Sequence, residues 1–211
     1  MKQPRVLVIV AAALLVGGTS ALQAHFKLLE PASWLVEGEL GDPQKLGPCG
    51  GDLAKEKNTL TNTMGKAIGG STLHLKVLET VYHPGHYRVA LAVNSRNELP
   101  PDPQTAERYT DRGVYSVWAV IQSPPQIPVI ADGLFQHYTR PSARQTFETD
   151  VQLPNINCPK CTLQVIQFMA EHGYNQPGGY AYHHCADLEI KADPAKPIDK
   201  GWPEAASVKA N

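Results

Sequence analysis

The chain has 211 residues, with 19 Lys and Arg against 20 Asp and Glu, a net charge of −1, and 42% hydrophobic residues. It has no basic run of the kind that holds nucleic acid or anionic lipid, so neither partner is expected. It is long enough to bury a core without help from a metal or a disulfide.

Lys2 and Arg5 precede an uncharged stretch from Val6 to Val16, followed by Gly-Gly-Thr-Ser-Ala-Leu-Gln-Ala. A basic start, an apolar middle and a small-residue end predict a cleaved export signal over residues 1–24. The apolar stretch falls short of the ~20 residues that a membrane span needs. The product is therefore expected to be soluble and secreted or periplasmic, with no membrane partner. A cut after Ala24 makes His25 the first mature residue, whereas Thr19-Ser-Ala21 offers a competing cut that leaves Leu22 in front. Four cysteines in an exported chain favour two disulfides.

Beyond the signal, Phe26–Leu29 predicts a short first strand. In Ser71–Thr80, Leu73, Leu75 and Val77 alternate with Thr72, His74 and Lys76, which predicts a half-buried strand. His86–Val93 predicts another, joined to it through the tight turn His83-Pro84-Gly85. Asn94–Arg112 is polar and proline-containing and reads as a long surface loop with at most one helical turn. Gly113–Ile121, Ala143–Val151, Cys161–Met169 and Tyr180–Lys191 complete the predicted strands. Short strands with turn signals between them predict an all-β, antiparallel sandwich with long surface loops, as one domain over residues 25–192. Residues 193–211 hold three prolines and little apolar periodicity, and read as a tail.

Cys158-Pro-Lys-Cys161 has neither the second CxxC of a zinc ribbon nor a βαβ context, so a disulfide closing a short loop is the better reading. That leaves Cys49 to pair with Cys185, one of three connectivities open to four cysteines. The eight histidines are the other source of chemistry, since imidazole is the commonest metal ligand. His74 on a polar strand face and His137 in a loop read as ordinary polar residues. In "YHPGHY", His83 is held by Pro84 and Gly85, which fix its direction. In "GGYAYHHCADLEI", strand alternation puts Tyr180, Tyr182 and His184 on one face, and Ala181, His183 and Cys185 on the other.

Together these pieces resemble the lytic polysaccharide monooxygenases, including those called chitin-binding type-4 proteins, and more closely a bacterial group described as polysaccharide-monooxygenase-like. The shared marks are the signal ending at His25, "GPCGG" at Gly47–Gly51, the histidine of "HPGHY", and "CTLQV…YHHCADLEI". Their order, over nearly the whole mature chain, carries the resemblance. It implies an immunoglobulin/fibronectin III-like sandwich and a histidine brace holding one copper ion. His25 would give its α-amine and its imidazole, and His83 the third nitrogen. His83 is preferred to His86 because it precedes the Pro-Gly turn, while His86 takes the aromatic place of the family pattern. Tyr182 matches an axial tyrosine, and His172 resembles an outer-shell histidine. Tyr180 departs from the glutamine that fungal members place two residues before that tyrosine. His183 and His184 have no counterpart, and His184 could add a ligand and close the site.

The chemistry of the donors agrees with that reading. An α-amine must shed its proton, from a pKa of ~7.7–8.0, to bind metal. Three nitrogens in a T suit copper, whereas zinc prefers a tetrahedral set that often includes thiolate. The implied activity is oxidative cleavage of polysaccharide, by hydroxylation of a C–H bond beside the glycosidic link with O2 or H2O2. Its partners would be chitin, cellulose or another glycan and an external electron donor, with the protein a monomer. Tyr109, Tyr138, Tyr174, Tyr180 and Trp34 are the aromatics that could form a glycan-facing surface. Two alternatives stand beside it: a copper-binding protein for acquisition or storage, and a noncatalytic carbohydrate-binding module.

Overall fold

The computed structural model describes residues 25–176 and 179–206. The export signal expected over 1–24 and residues 207–211 of the tail lie outside them. The described chain is an all-β sandwich. One layer is a three-stranded antiparallel sheet in the order β1 (His25–Glu30), β3 (Thr72–Val81), β8 (Gln145–Gln152). The other has five strands, β2 (Met64–Ile68), β10 (Ala181–Lys191), β9 (Cys158–Met169), β4 (Gly85–Ala92) and β7 (Val129–His137), antiparallel except for the parallel pair β2–β10. A hairpin of β5 (Thr105–Thr110) and β6 (Gly113–Ala119) stands apart.

Alternation decides what fills the space between the layers. Phe26 and Leu28 meet Leu75 and Val77 from the small sheet. Tyr87, Val89, Leu91, Leu163, Val165, Tyr182 and Leu188 come from the large one. Burying each such side chain stabilises the fold by about 1.5–3 kcal/mol. The large sheet is also covered on its outer face, where Ala90, Ala92, Leu99 and Val129 pack with Cys49, Cys185 and Trp34. That double covering explains why β4 is buried at every position. The Cys49–Cys185 disulfide staples the covering segment to β10 across 136 residues.

Several elements differ from expectation. Asn94–Arg112 contains, besides a single helical turn at Arg96–Glu98, the strand β5, whose residues are largely exposed and so show no apolar pattern. β2 is a short edge strand with the same exposed character. β7 is interrupted by Asp132-Gly133, where Gly133 adopts a positive φ and the ladder to β4 shifts register, which erases its alternation. His137 is therefore the end of a strand and not part of a loop. Cys158 and Cys161 form the second disulfide, inside β9 itself and not in a loop before it. The segment after β10 is docked to the domain: the buried Asn155 side chain donates to the carbonyls of Asp193, Lys196 and Pro197, and Trp202 packs on the core. Among the described residues no helix is long and apolar enough to cross a membrane, and two disulfides suit an oxidising compartment.

Candidate metal centre

The four residues singled out as catalytic meet at one end of the sandwich. His25 opens β1 opposite Val81 of β3, so the chain leaving β3 delivers His83 to the same end. Gly85 then starts β4 hard against β9: a Cβ there would lie 1.9 Å from the Phe168 carbonyl oxygen. No other residue could make that approach, which is why the turn after His83 ends on glycine. Tyr182, on the inner face of β10, brings its ring to 5.3 Å from that of His25, edge-on. His172, after β9, brings its ring to 4.7 Å from that of His83. Ser116 of β6 anchors the His172 backbone: its N–H donates to the His172 carbonyl, and its Oγ accepts from the His172 N–H.

Protonation states follow from burial. His83 is pushed down to about 3, by burial first and then by the neighbouring His172, Arg140 and His25. It is neutral at neutral pH, and its Nδ1 is buried without a partner among the described residues. Burial likewise pushes Tyr182 up to about 12, so it remains a phenol. The Nε2 of His25 lies 3.2 Å from Asp42 Oδ2, and that hydrogen bond is the main cause that holds the Asp42 carboxyl below its ordinary range.

A network that the sequence did not announce lies behind His83. Glu79, buried in β3, accepts on Oε1 from the His83 backbone N–H at 3.2 Å, Gln167 Nε2 at 2.8 Å and His137 Nε2 at 2.9 Å. The other ring nitrogen of His137 donates to the Phe135 carbonyl at 2.6 Å. Burial opposes charge on His137, but these bonds outweigh it and hold the ring above its ordinary range. Both ring nitrogens of His137 thus face acceptors, Glu79 Oε1 and the Phe135 carbonyl.

The remaining histidines point elsewhere. His184 shares the inner face with Tyr182, as alternation predicts, but both its nitrogens are taken: Nε2 donates to the Phe26 carbonyl at 3.0 Å, and Nδ1 lies 3.1 Å from Glu37 Oε1. It therefore adds no ligand to a metal at His25. Burial pushes His184 down to about 4 and Glu37 up to about 7, so the proton between them rests on Glu37. His86 is buried on the outer face of β4, against Phe168 and 3.8 Å from Asp132. His183 contacts Asp102 at 2.7 Å. His74 is solvated beside Asp150 and Glu148. Of the aromatics considered for a glycan face, Tyr109, Tyr138 and Tyr174 are exposed. Tyr180 is buried with its hydroxyl donating to Glu107, and Trp34 is covered by Arg96, so neither is part of such a face.

Among the described residues, no group of three or more His, Cys, Asp or Glu side chains is arranged to hold a metal ion. A brace needs only two such side chains, because its third donor is a backbone amine. No family model matches the chain, and no curated protein matches it.

Proposed function

We propose that the mature chain begins at His25, that its α-amine and ring together with the His83 ring hold one copper ion, and that the protein cleaves polysaccharide oxidatively. The observation that carries this reading is the convergence of His25 and a neutral, buried His83 with an unpartnered Nδ1, flanked by Tyr182 and His172. The donor set fits copper: it is nitrogen only, since all four cysteines are in disulfides. Copper bound there would supply one-electron redox chemistry with O2 or H2O2 for hydroxylation of a C–H bond beside a glycosidic link.

The protein's own part is placement. The α-amine and Nδ1 of His25 lie on one residue and would hold the ion together, while Asp42 orients the imidazole through Nε2. Glu79 holds the His83 backbone. Tyr182 walls one side with a phenol that stays protonated. His172, whose Nδ1 donates to the Gly173 carbonyl, has Nε2 as the atom at which a proton can be held or passed.

A second reading, copper holding without oxygenase activity, draws on the depth of the site: His25, His83 and Tyr182 are 3%, 6% and 0% exposed. The test starts with the intact mass of the exported protein, followed by Cu(II) EPR of wild type and His83→Ala. A start at Leu22 removes both copper readings. A start at His25 with an EPR signal that ignores His83→Ala removes this ligand set. Reductant-dependent release of oxidised oligosaccharides from chitin or cellulose then separates the enzyme from the carrier.

A further inference from the structure

β1 is an edge strand, yet its outer edge is not open. One edge bonds to β3. On the other, buried side chains take the place of a neighbouring strand. Phe26 N–H donates to Gln44 Oε1 at 3.1 Å, the Phe26 carbonyl accepts from His184 Nε2 at 3.0 Å, and Leu28 N–H donates to Glu37 Oε1 at 3.2 Å. Gln44 is 0% exposed, and its own carbonyl accepts the His183 N–H of β10 at 2.8 Å, so it ties the two layers together. Gly41 approaches the same peptide so closely that a Cβ would lie 1.9 Å from the Phe26 carbonyl oxygen.

The Gly41-Asp42-Pro43-Gln44 loop thus touches three parts of one dipeptide. Asp42 faces the His25 ring, Gln44 takes the N–H of the peptide joining His25 to Phe26, and Gly41 packs on the next carbonyl. A first residue is the hardest to position, because nothing precedes it. Fixing its following peptide plane and its ring leaves the α-amine little beyond the one rotation about the Cα–C bond. Buried backbone groups need polar partners at any covered edge; what singles this edge out is that one loop supplies such a partner and also faces the His25 ring.

We propose that Gln44, with Asp42 and Gly41 on the same loop and His184 and Glu37 behind it, is a positioning clamp that aims the His25 α-amine at the metal. This rests on the brace reading, and the test separates the two. In the mature protein starting at His25, Gln44→Leu is expected to weaken Cu(II) binding about tenfold or more, in chelator competition, and to broaden or split the EPR signal. Gln44→Glu, which keeps the acceptor, is expected to restore both. A folded Gln44→Leu protein with wild-type affinity and EPR parameters overturns the proposal.

Amide hydrogen exchange on unaltered, copper-free protein covers the case in which Gln44→Leu does not fold. The Phe26 and Leu28 amides should be protected as strongly as the interior amides of β3, and exchange at the rate of an open edge overturns the clamp. Unaltered protein that takes up no copper overturns the brace and the positioning role with it. Protected Phe26 and Leu28 amides in that same protein would locate the failure in the metal reading, not in the clamp's geometry.

Discussion

Two buried Glu–His pairs flank the candidate site, built from the same parts to different ends. Glu79–His137 holds the backbone N–H of His83, and Glu37–His184 holds β1 just beyond His25. In each, one ring nitrogen donates to a backbone carbonyl and the other faces the carboxyl group. Glu79 gathers three N–H donors on one oxygen, and His137 is held above its ordinary pKa. Burial raises Glu37 to about 7 against the opposing help of Leu28, Ser33 and Lys27, and lowers His184 to about 4. These directions predict an ionic first pair and a neutral second one. What differs is that hydrogen bonds to Glu79 and the Phe135 carbonyl offset burial at His137, whereas the bond to the Phe26 carbonyl does not offset it at His184.

The largest expected effect breaks that contrast if it is absent. Glu79→Gln should leave the His137 imidazolium buried without its counter-charge and cost about 3–5 kcal/mol in urea unfolding of the copper-free protein. A loss below about 1 kcal/mol at pH 7 would mean that His137 is neutral and that the two pairs are alike. Next comes His83, whose folded pKa of about 3 lies below the unfolded value near 6.5. Its contribution is therefore present above about pH 6.5 and is lost as pH falls toward 3. Copper-free wild type should lose about 2–4 kcal/mol over that window relative to His83→Gln, which has nothing to titrate. Parallel stability–pH curves for the two proteins would refute the burial argument.

How much of this was legible follows from periodicity. β3 and β10 were readable because inward residues fall at even spacings, Leu75 and Val77 in one and Tyr182, His184, Ala186 and Leu188 in the other. The same parity carried an unread signal. Glu79 continues the inward series Leu73, Leu75, Val77, and Gln167 continues Leu163, Val165. A carboxylate on the buried face of a strand must have partners, so Glu79 could have been flagged from sequence alone. Its partner His137 could not, since it lies 58 residues away on a strand whose alternation is broken at Asp132-Gly133. The rigid His-Pro-Gly turn marked His83, the β1–β3 pairing brings its chain to the end where β1 starts, and His184 lies on the inner face that alternation predicts. Its role was not legible, because facing inward does not tell a ligand from a donor to the Phe26 carbonyl. β2, at the edge of the large sheet, and β5, in the two-stranded hairpin, were missed because largely exposed strands leave no apolar pattern.

The smallest expected effect has the opposite sign to the first. Glu37→Gln replaces a protonated acid with a neutral amide of the same shape; both contacts fall on the Oε1 position, so the amide keeps one of them, accepting from Leu28 N–H or donating to His184 Nδ1. At pH 5 the change should stay within about 1 kcal/mol, because folded Glu37 is already neutral there. A raised carboxyl pKa gives stability that is full below the unfolded value near 4.5 and is lost as pH rises toward 7. His184 runs the other way, gaining between about 4 and 6.5. In wild type the two trends offset each other across that interval, because folded and unfolded chains each hold one proton on the pair. Removing Glu37 removes one trend and leaves the other, so Glu37→Gln should become more stable than wild type by about 1–2 kcal/mol between pH 5 and pH 8. If Glu37 and His184 were instead an ion pair like Glu79 and His137, the same substitution would destabilise the protein at pH 8. The sign of that one difference, read by urea unfolding at the two pH values, tells the neutral pair from the ionic one.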